Sequence, residues 1–362
     1  MYVERRDADT SVIAPCCAAR GQVFPNNEIN FDTNAHLQKL REENSQGIAS
    51  AECQVCWDQE KYTGKSLRTG AVEYYKNHHE PGLKNIDWNV EPICNAKCII
   101  CSNYHSSLWL AEDQKFEAVH PIQRTAASAR TNDIVDGIDF SNLIRIYFNG
   151  GEPVLSKDPV RILQKLADLG KLDKIETSLN MNGSQMMSAE LVALLKQSRY
   201  STVFFSIDGT GDQFEYIRNP IPWSNLESNL KRVLDLGFNS VIMTTALGVH
   251  NLQIAQDIER WWKNFTQQYQ PMVKIANTYQ LVVGPLSFDN VSSATAAELL
   301  KEIEEFKDTE EWAKIGYNSL QNAQGTDQWL PWLEKLDQRR GLDWKQTLPS
   351  LYASAVRAGI TK

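Results

Sequence analysis

The sequence has no long apolar run and no surplus of basic residues. No stretch reaches the ~18 apolar residues of a membrane-spanning helix, and the first twenty residues carry charges where a secretion signal needs an apolar core. The formal net charge is −8, which gives no basic field for nucleic acid or anionic lipid. Internal repeats and low-complexity runs are also lacking. We therefore expect a cytoplasmic protein with no membrane or nucleic-acid partner.

What is present is an ordinary globular composition over a long chain. The 362 residues are 42% hydrophobic and 23% charged, as in soluble folded proteins. A chain of this length accommodates one large barrel of alternating strands and helices with a small domain appended.

The seven cysteines are odd in number, and their grouping favours metal in a reducing compartment over disulfides. Three of them, Cys94, Cys98 and Cys101, have the spacing CxxxCxxC. A cubane iron–sulfur cluster has four irons and is normally held by four thiolates. A loop that offers three thiolates leaves one iron open to a substrate or cofactor. Zinc with an open fourth position is the alternative for this spacing.

The other four cysteines lie in a polar N-terminal segment with little periodicity. They are Cys16, Cys17, Cys53 and Cys56. We expect this segment, residues 1–75, to be a small loop-rich domain held partly by metal. The pair Cys53 and Cys56 has the CxxC spacing of many zinc sites, and a second iron–sulfur cluster fits it equally well.

From Lys84 onward, apolar strands alternate with amphipathic helices, which predicts parallel strands joined by crossover helices. The predicted strands are Ile86–Val90, Leu143–Phe148, Lys174–Leu179, Thr202–Ile207, Ser240–Leu247 and Val273–Val283. The predicted helices include Asp158–Leu169, Ser188–Gln197, Ser224–Leu236 and Asn251–Phe265, with Ser188 and Ser224 as N-caps. This α/β pattern predicts a partial (β/α)6 barrel over residues 80–290. A helical extension over 291–362 follows, including one helix at 294–319 and a Trp-rich tail.

Each unusual motif follows one of the predicted strands. The cysteine triplet follows the first strand, Asn149 to Pro153 the second, Asn180 to Gly183 the third, and Asp208-Gly209 the fourth. Because barrel enzymes place their chemistry at the carboxyl ends of the strands, we expect these motifs to line one mouth.

CxxxCxxC after the first strand, with Gly150-Gly151-Glu152-Pro153 after the second, resembles the radical S-adenosylmethionine (radical SAM) enzymes. The resemblance implies that Cys94, Cys98 and Cys101 hold a [4Fe–4S] cluster whose fourth iron binds SAM. Reductive cleavage of SAM would then give a 5′-deoxyadenosyl radical that takes hydrogen from a substrate. It also implies an electron donor such as flavodoxin or ferredoxin.

The same resemblance assigns SAM contacts. The loop of Gly150, Gly151 and Glu152 would accept hydrogen bonds from the methionyl ammonium. Asn182 matches the family's threonine–asparagine–glycine segment, with Met181 in place of the threonine. The positions that would bind the ribose hydroxyls and the SAM carboxylate are Ser206, Asp208 and Arg218. Arg218 is the best candidate for the carboxylate, since a guanidinium binds it through two hydrogen bonds. Ile100 stands where the family usually has an aromatic residue that shields adenine.

The N-terminal segment resembles the twitch or SPASM type of auxiliary-cluster domain, as in a group of bacterial and phage-like twitch radical SAM proteins. Pro15-Cys16-Cys17, Glu52 to Trp57 and Gly64 to Arg68 carry this resemblance, which implies a second [4Fe–4S] cluster. Adjacent cysteines have difficulty reaching two corners of one cube. The favoured ligands are therefore Cys17, Cys53 and Cys56. Whether Cys16 is also a ligand, and whether one iron of this cluster is open, stays undecided.

Three functions remain open from the sequence. The first is a radical SAM oxidoreductase or modifying enzyme that oxidises, crosslinks or epimerises a peptide or protein residue. The second is a dehydrogenase or epimerase of a sugar or aminocyclitol using the same chemistry. The third is a non-catalytic iron–sulfur or zinc scaffold. No residue that quenches a substrate radical can be named from the sequence.

Overall fold

The computed structural model describes residues 1–5, 10–17, 19, 21–25, 30, 33–78, 80, 82–116 and 131–361. Several positions of the expected N-terminal domain, and Lys362 of the expected C-terminal extension, lie outside the described residues. The strands are β1 Tyr2–Arg5, β2 Thr10–Ala14, β3 Gln22–Pro25, β4 Asn85–Asn89, β5 Arg145–Asn149, β6 Glu176–Met181, β7 Tyr200–Ser206, β8 Ser240–Leu247 and β9 Lys274–Leu281. The helices are α1 Ala35–Ser45, α2 Gln54–Thr63, α3 Leu67–Tyr75, α4 Ser107–Phe116, α5 Thr131–Asp136, α6 Asp158–Asp168, α7 Ala189–Gln197, α8 Gly211–Ile217, α9 Trp223–Asp235, α10 Ala255–Thr266, α11 Ser293–Ile303, α12 Glu311–Leu320, α13 Trp329–Arg340, α14 Trp344–Thr347 and α15 Pro349–Arg357.

The chain divides into two compact units. The first consists of the described residues within Met1–Ile93, Pro121–Leu179 and Met187–Ser201. The second consists of those within Cys94–His120, Asn180–Met186 and Thr202–Lys362.

The first unit is built on strands β1 to β6. Strands β4, β5 and β6 pair in parallel, and β1 joins the other side of β4, also in parallel, with Val3 opposite Trp88. Strands β1, β2 and β3 pair antiparallel in succession. The N-terminal segment is thus more regular than the loop-rich domain expected from its composition, because its short strands are stabilised by pairing with a distant strand that local sequence does not reveal.

Helices α6 and α7 of the first unit form where the apolar spacing predicts them. In α6, Ile162, Leu163 and Leu166 recur at helical spacing and are fully buried. The indole of Trp88 on β4 donates to Asp158 Oδ2 at the start of α6 (3.0 Å). Ser188 is the N-cap of α7, as predicted.

The second unit contains the parallel strands β7, β8 and β9, in which Val203 lies opposite Val241 and Val241 opposite Ile275. Helix α9 begins one residue earlier than predicted, at Trp223 after Pro222, so Ser224 as its N-cap was wrong. The physical reason is that Glu215 of α8 accepts from the Trp223 amide (2.8 Å), which satisfies the first amide of the helix and places Ser224 inside its first turn.

The C-terminal part of the second unit is helical, as expected, but the single helix predicted at 294–319 is two helices. Helix α11 ends at Ile303 and α12 begins at Glu311, with a short 3-10 turn at Glu304–Phe306 between them. Phe306 packs against Trp312 with 5.6 Å between ring centroids. This aromatic contact turns the chain inward at a place where the charged residues alone predict a continuous helix.

The α/β class with parallel strands is confirmed. Strand β8 has the predicted bounds, and the other five parallel strands begin and end within two residues of their predicted positions. The division into residues 1–75, 80–290 and 291–362 stays a prediction. Across the described part of the chain, no helix has the length and apolar character needed to cross a membrane.

Candidate functional site

The CxxxCxxC loop of the second unit is irregular, and other elements hold its backbone from several sides. The amides of Lys97 and Ile99 donate to the carbonyls of Asn219 (2.7 Å) and Ile217 (2.8 Å). Two indoles bind loop carbonyls: Trp109 donates to Cys98 O (2.8 Å) and Trp332 to Ile99 O (2.9 Å). The loop therefore has a fixed path that leaves its thiols free of regular secondary structure.

Charged groups also tie this loop to the helices around it. Lys97 Nζ lies 2.6 Å from Glu112 Oε2 on α4, and Glu112 accepts from Arg340 Nε on α13 (3.0 Å). The Trp109 and Trp332 rings stack with centroids 5.7 Å apart. The C-terminal helix α13 thus supplies two supports of the loop, Trp332 and Arg340. Sequence reasoning missed both, since contacts over such separations leave no local signal.

The three thiols differ in their surroundings. Cys98 is buried, whereas Cys94 and Cys101 are half-buried. Burial raises the pKa of Cys98, and the positive charge of Arg218 opposes that rise. Burial raises the pKa of Cys101 as well. Because thiolates are the metal-binding form, positive charge near this loop is a requirement of the site, and Arg218 supplies it.

Arg218 is held against Cys98 by Asp208. Its Nη2 lies 2.7 Å from Asp208 Oδ2, and its Nη1 lies 3.9 Å from Cys98 Sγ. The other Asp208 oxygen accepts from the Ala246 amide (2.7 Å), and the Asp208 side chain is fully buried. Burial raises the pKa of Asp208 and the Arg218 charge opposes this. Asp208 therefore helps to position the Arg218 guanidinium.

Asn182, which follows β6, is tied to the start of the same loop. Its Nδ2 donates to Asn95 Oδ1 (3.0 Å) and lies 3.9 Å from Cys94 Sγ. Its own Oδ1 accepts from the Ser184 amide (2.9 Å), and Ser184 Oγ accepts from Asn95 Nδ2 (2.9 Å). The sequence pointed to Asn182 but not to Asn95 or Ser184. Within the second unit, the structure thus brings together Cys94, Cys98, Cys101, Asn182, Asp208 and Arg218.

The other predicted SAM contacts lie at strand ends. Ser206 is the last residue of β7 and is half-buried. In the first unit, Gly150 and Gly151 directly follow β5. Added Cβ atoms would lie 2.3 Å from Asn89 Oδ1 at Gly150, which has φ +114°, and 2.5 Å from Ile93 O at Gly151. Glu152 is buried, and its amide donates to Ile93 O (2.8 Å). Both glycines are thus required by close backbone packing.

The N-terminal cysteines belong to the first unit, where three of them line one cavity. The cavity has a volume of about 550 Å³, and its lining includes Cys16, Cys53 and Cys56 but not Cys17. Cys17 lies near Asp87 instead. Although the residue as a whole is exposed, loss of water around the thiol and the Asp87 charge raise the pKa of Cys17 to about 11.

The donor sets fit the groups that the resemblance implies. Three thiols on one irregular loop suit a cluster with an open iron. The buried Arg218, whose Nε has no hydrogen-bond partner among the described residues, suits a carboxylate. Over the described ranges, no three His, Cys, Asp or Glu side chains are grouped as ligands of a single metal ion.

Part of the chain matches a protein-family model. A model of the Radical SAM superfamily matches residues 88–261, and this stretch is a Radical SAM domain. Such a domain indicates an enzyme and implies a [4Fe–4S] cluster and SAM. No curated protein sequence matches the chain significantly.

Several solved structures are similar to the chain at low identity. Streptococcus suis SuiB bound to S-adenosylmethionine is 11% identical, with a TM-score of 0.36 over 84% of this chain and 67% of that one. SuiB bound to the precursor peptide SuiA is 12% identical, with a TM-score of 0.34 over 84% and 68%. Native anSMEcpe with bound AdoMet is 15% identical, with a TM-score of 0.42 over 62% and 60%. Likeness at this level says nothing about this chain's substrate.

Proposed function

We propose that this protein is a radical SAM enzyme that abstracts hydrogen from a peptide or protein residue, leading to oxidation, crosslinking or epimerisation. The observation that carries the proposal is the buried Arg218 and Asp208 pair beside Cys98. Placing a guanidinium in the protein interior carries a desolvation cost. A buried guanidinium at this place has a function if the site binds an anionic group next to a thiolate-ligated cluster.

The chain's own residues hold the reactants. Cys94, Cys98 and Cys101 would ligate the cluster, and Arg218 would bind the carboxylate of SAM. Asp208 fixes the guanidinium, and Asn182 with Asn95 fixes the start of the loop. When bound, the cluster and SAM supply a 5′-deoxyadenosyl radical. The buried Trp109 indole and Ile99 side chain at the loop would help to exclude water from that chemistry.

We further propose that the first unit holds an auxiliary [4Fe–4S] cluster. Cys16, Cys53 and Cys56 line one cavity, whereas Cys17 lies outside that lining and near Asp87. This favours Cys16 over Cys17 as the third ligand, the reverse of the preference drawn from sequence. The auxiliary cluster would accept an electron from a substrate radical. A donor such as flavodoxin or ferredoxin would supply an electron to the SAM-cleaving cluster.

The same cavity supports a substrate with an apolar side chain. Its volume falls within the range of ligand-binding pockets, and its lining includes Val55, Leu67 and Val72, which are 61%, 58% and 62% exposed. Exposed apolar side chains around a cavity are typical of a surface that binds a partner. A peptide side chain fits such a lining better than a sugar does.

Anaerobic reconstitution followed by reduction with dithionite tests the proposal. Wild-type protein should release 5′-deoxyadenosine from SAM, and Cys98→Ala should release none. Absence of the product from iron-loaded wild type would make the chain a scaffold. Deuterium transfer from labelled peptides into deoxyadenosine would support the peptide substrate, whereas transfer from labelled sugars or aminocyclitols alone would overturn it.

A further inference from the structure

His250 in the second unit follows β8 and is held in one position by its loop. The Gly248 amide donates to Asn251 Oδ1 (3.0 Å), and the Val249 amide donates to Leu286 O (3.0 Å). Asn251 Nδ2 donates to the carbonyl of Asp208 (3.2 Å). The loop that carries His250 is therefore tied directly to the residue that positions Arg218.

Packing leaves this loop no room to move. A Cβ at Gly248 would lie 2.6 Å from Leu286 O and 3.1 Å from His250 Nδ1. The Leu286 carbonyl thus leaves room only for glycine at 248.

The imidazole is buried with unused hydrogen-bonding capacity. His250 is 2% exposed, and neither Nδ1 nor Nε2 has a hydrogen-bond partner among the described residues. Burial, together with the nearby charge of Arg218, lowers the pKa of His250 to about 3, so the ring is neutral. A buried polar group without a partner is costly, so the site favours a ligand that pairs with at least one of these nitrogens.

The chemistry of the ring narrows the choice of ligand. A neutral imidazole offers one donor and one acceptor. A carboxylate only accepts and can pair only with the protonated nitrogen, whereas a hydroxyl can donate or accept and so can pair with either nitrogen. Asp208, the residue matched by resemblance to ribose binding, accepts from the Ala246 amide through Oδ1, while its Oδ2 lies 2.7 Å from Arg218 Nη2 but has no hydrogen-bond partner among the described residues. Because ribose carries two hydroxyls, His250 can pair with one of them even where Asp208 pairs with the other.

We propose that His250 hydrogen-bonds a ribose hydroxyl of bound SAM. This inference rests on the proposed function, because it takes SAM as the ligand of the Arg218 site. His250 is a binding residue here and takes no proton during the reaction.

Binding measurements on the iron-loaded protein test the proposal. The dissociation constants of SAM and of its 2′-deoxy and 3′-deoxy analogues are measured anaerobically by equilibrium dialysis. His250→Phe keeps a ring of similar size without nitrogens and should weaken SAM binding about three- to tenfold, as expected for one neutral hydrogen bond. One of the two deoxy analogues should bind wild type and variant equally. His250→Asn, which retains one donor and one acceptor, should recover part of the loss.

The control is His36→Phe, the same exchange on α1 of the first unit, which should leave SAM binding unchanged. Equal SAM affinity in wild type and His250→Phe, with unchanged iron content, would overturn the assignment. So would a loss of the same size with SAM and with both deoxy analogues, since it would indicate the adenine edge or a packing defect. Wild type is titrated with SAM first. If it binds no SAM, the proposed function is wrong, and the assignment of His250, which depends on it, is wrong too.

Discussion

The two groups of cysteines differ in how much of the chain holds them. The loop of Cys94, Cys98 and Cys101 is fixed by backbone hydrogen bonds, two indoles and a buried ion pair, all within the second unit. The N-terminal cysteines lie in a turn and at the start of α2, around a cavity lined by exposed apolar side chains. The first arrangement suits a bound cofactor that must be held in one geometry. The second leaves space beside the thiols, as a site facing a substrate requires.

Removing Asp208 should have the largest effect on the cysteine loop. Asp208→Asn leaves the Arg218 guanidinium buried without its counter-charge, so unfolding free energy should fall by about 3–5 kcal/mol and SAM binding should weaken strongly. Urea denaturation and SAM titration measure the two effects. Asp257→Asn, which breaks an exposed ion pair with Arg260, should change neither measurably. Equal behaviour of the two variants would show that the buried pair does not organise the site.

Variants of the adjacent Cys16 and Cys17 test which of the two binds iron in the N-terminal group. Cys16→Ala should lower the iron bound per chain after anaerobic reconstitution, because Cys16 lines the cavity with Cys53 and Cys56. Cys17→Ala should retain wild-type iron, because that thiol faces Asp87. Iron analysis of the two variants side by side is the measurement. Loss of iron in Cys17→Ala alone would restore the ligand set favoured by sequence.

A smaller effect is expected where α13 supports the cysteine loop. Trp332→Phe removes the hydrogen bond to Ile99 O, so the free energy of unfolding should fall by about 1 kcal/mol. The affinity for SAM should fall by a few-fold. Trp344→Phe is the matched control, since its indole N–H is buried without a hydrogen-bond partner in the described chain. SAM affinity should be unchanged there. If both exchanges weaken SAM binding alike, the indole contact with the loop has no special role.

The sequence predicted the parallel strands well because their signal is local. Strand β8 consists of mostly buried apolar and β-branched residues, and its bounds were correct. The motifs also follow β4, β5, β6 and β7 as expected. The N-terminal strands β1 to β3 were missed, since they are only four or five residues long and gain their stability from pairing with one another and with β4.

Parts of the site that depend on distant contacts were also beyond sequence reasoning. Asn95 and Ser184 hold the cysteine loop to the segment after β6, yet neither residue type is distinctive at its position. Asp208 was matched to ribose binding, which stays a prediction, and its ion pair with Arg218 was not foreseen. Burial and pairing of this kind depend on the folded chain, so only the structure separates a positioning residue from one that touches a ligand.

The most direct test of the difference between the two cysteine groups is to measure iron content and 5′-deoxyadenosine formation together in Cys53→Ala and Cys98→Ala. Wild type should hold about eight irons per chain, and each variant about four. Cys53→Ala should still cleave SAM, and Cys98→Ala should not. If wild type holds only about four irons, or if Cys53→Ala also loses SAM cleavage, then the N-terminal cysteines do not form a separate cluster site.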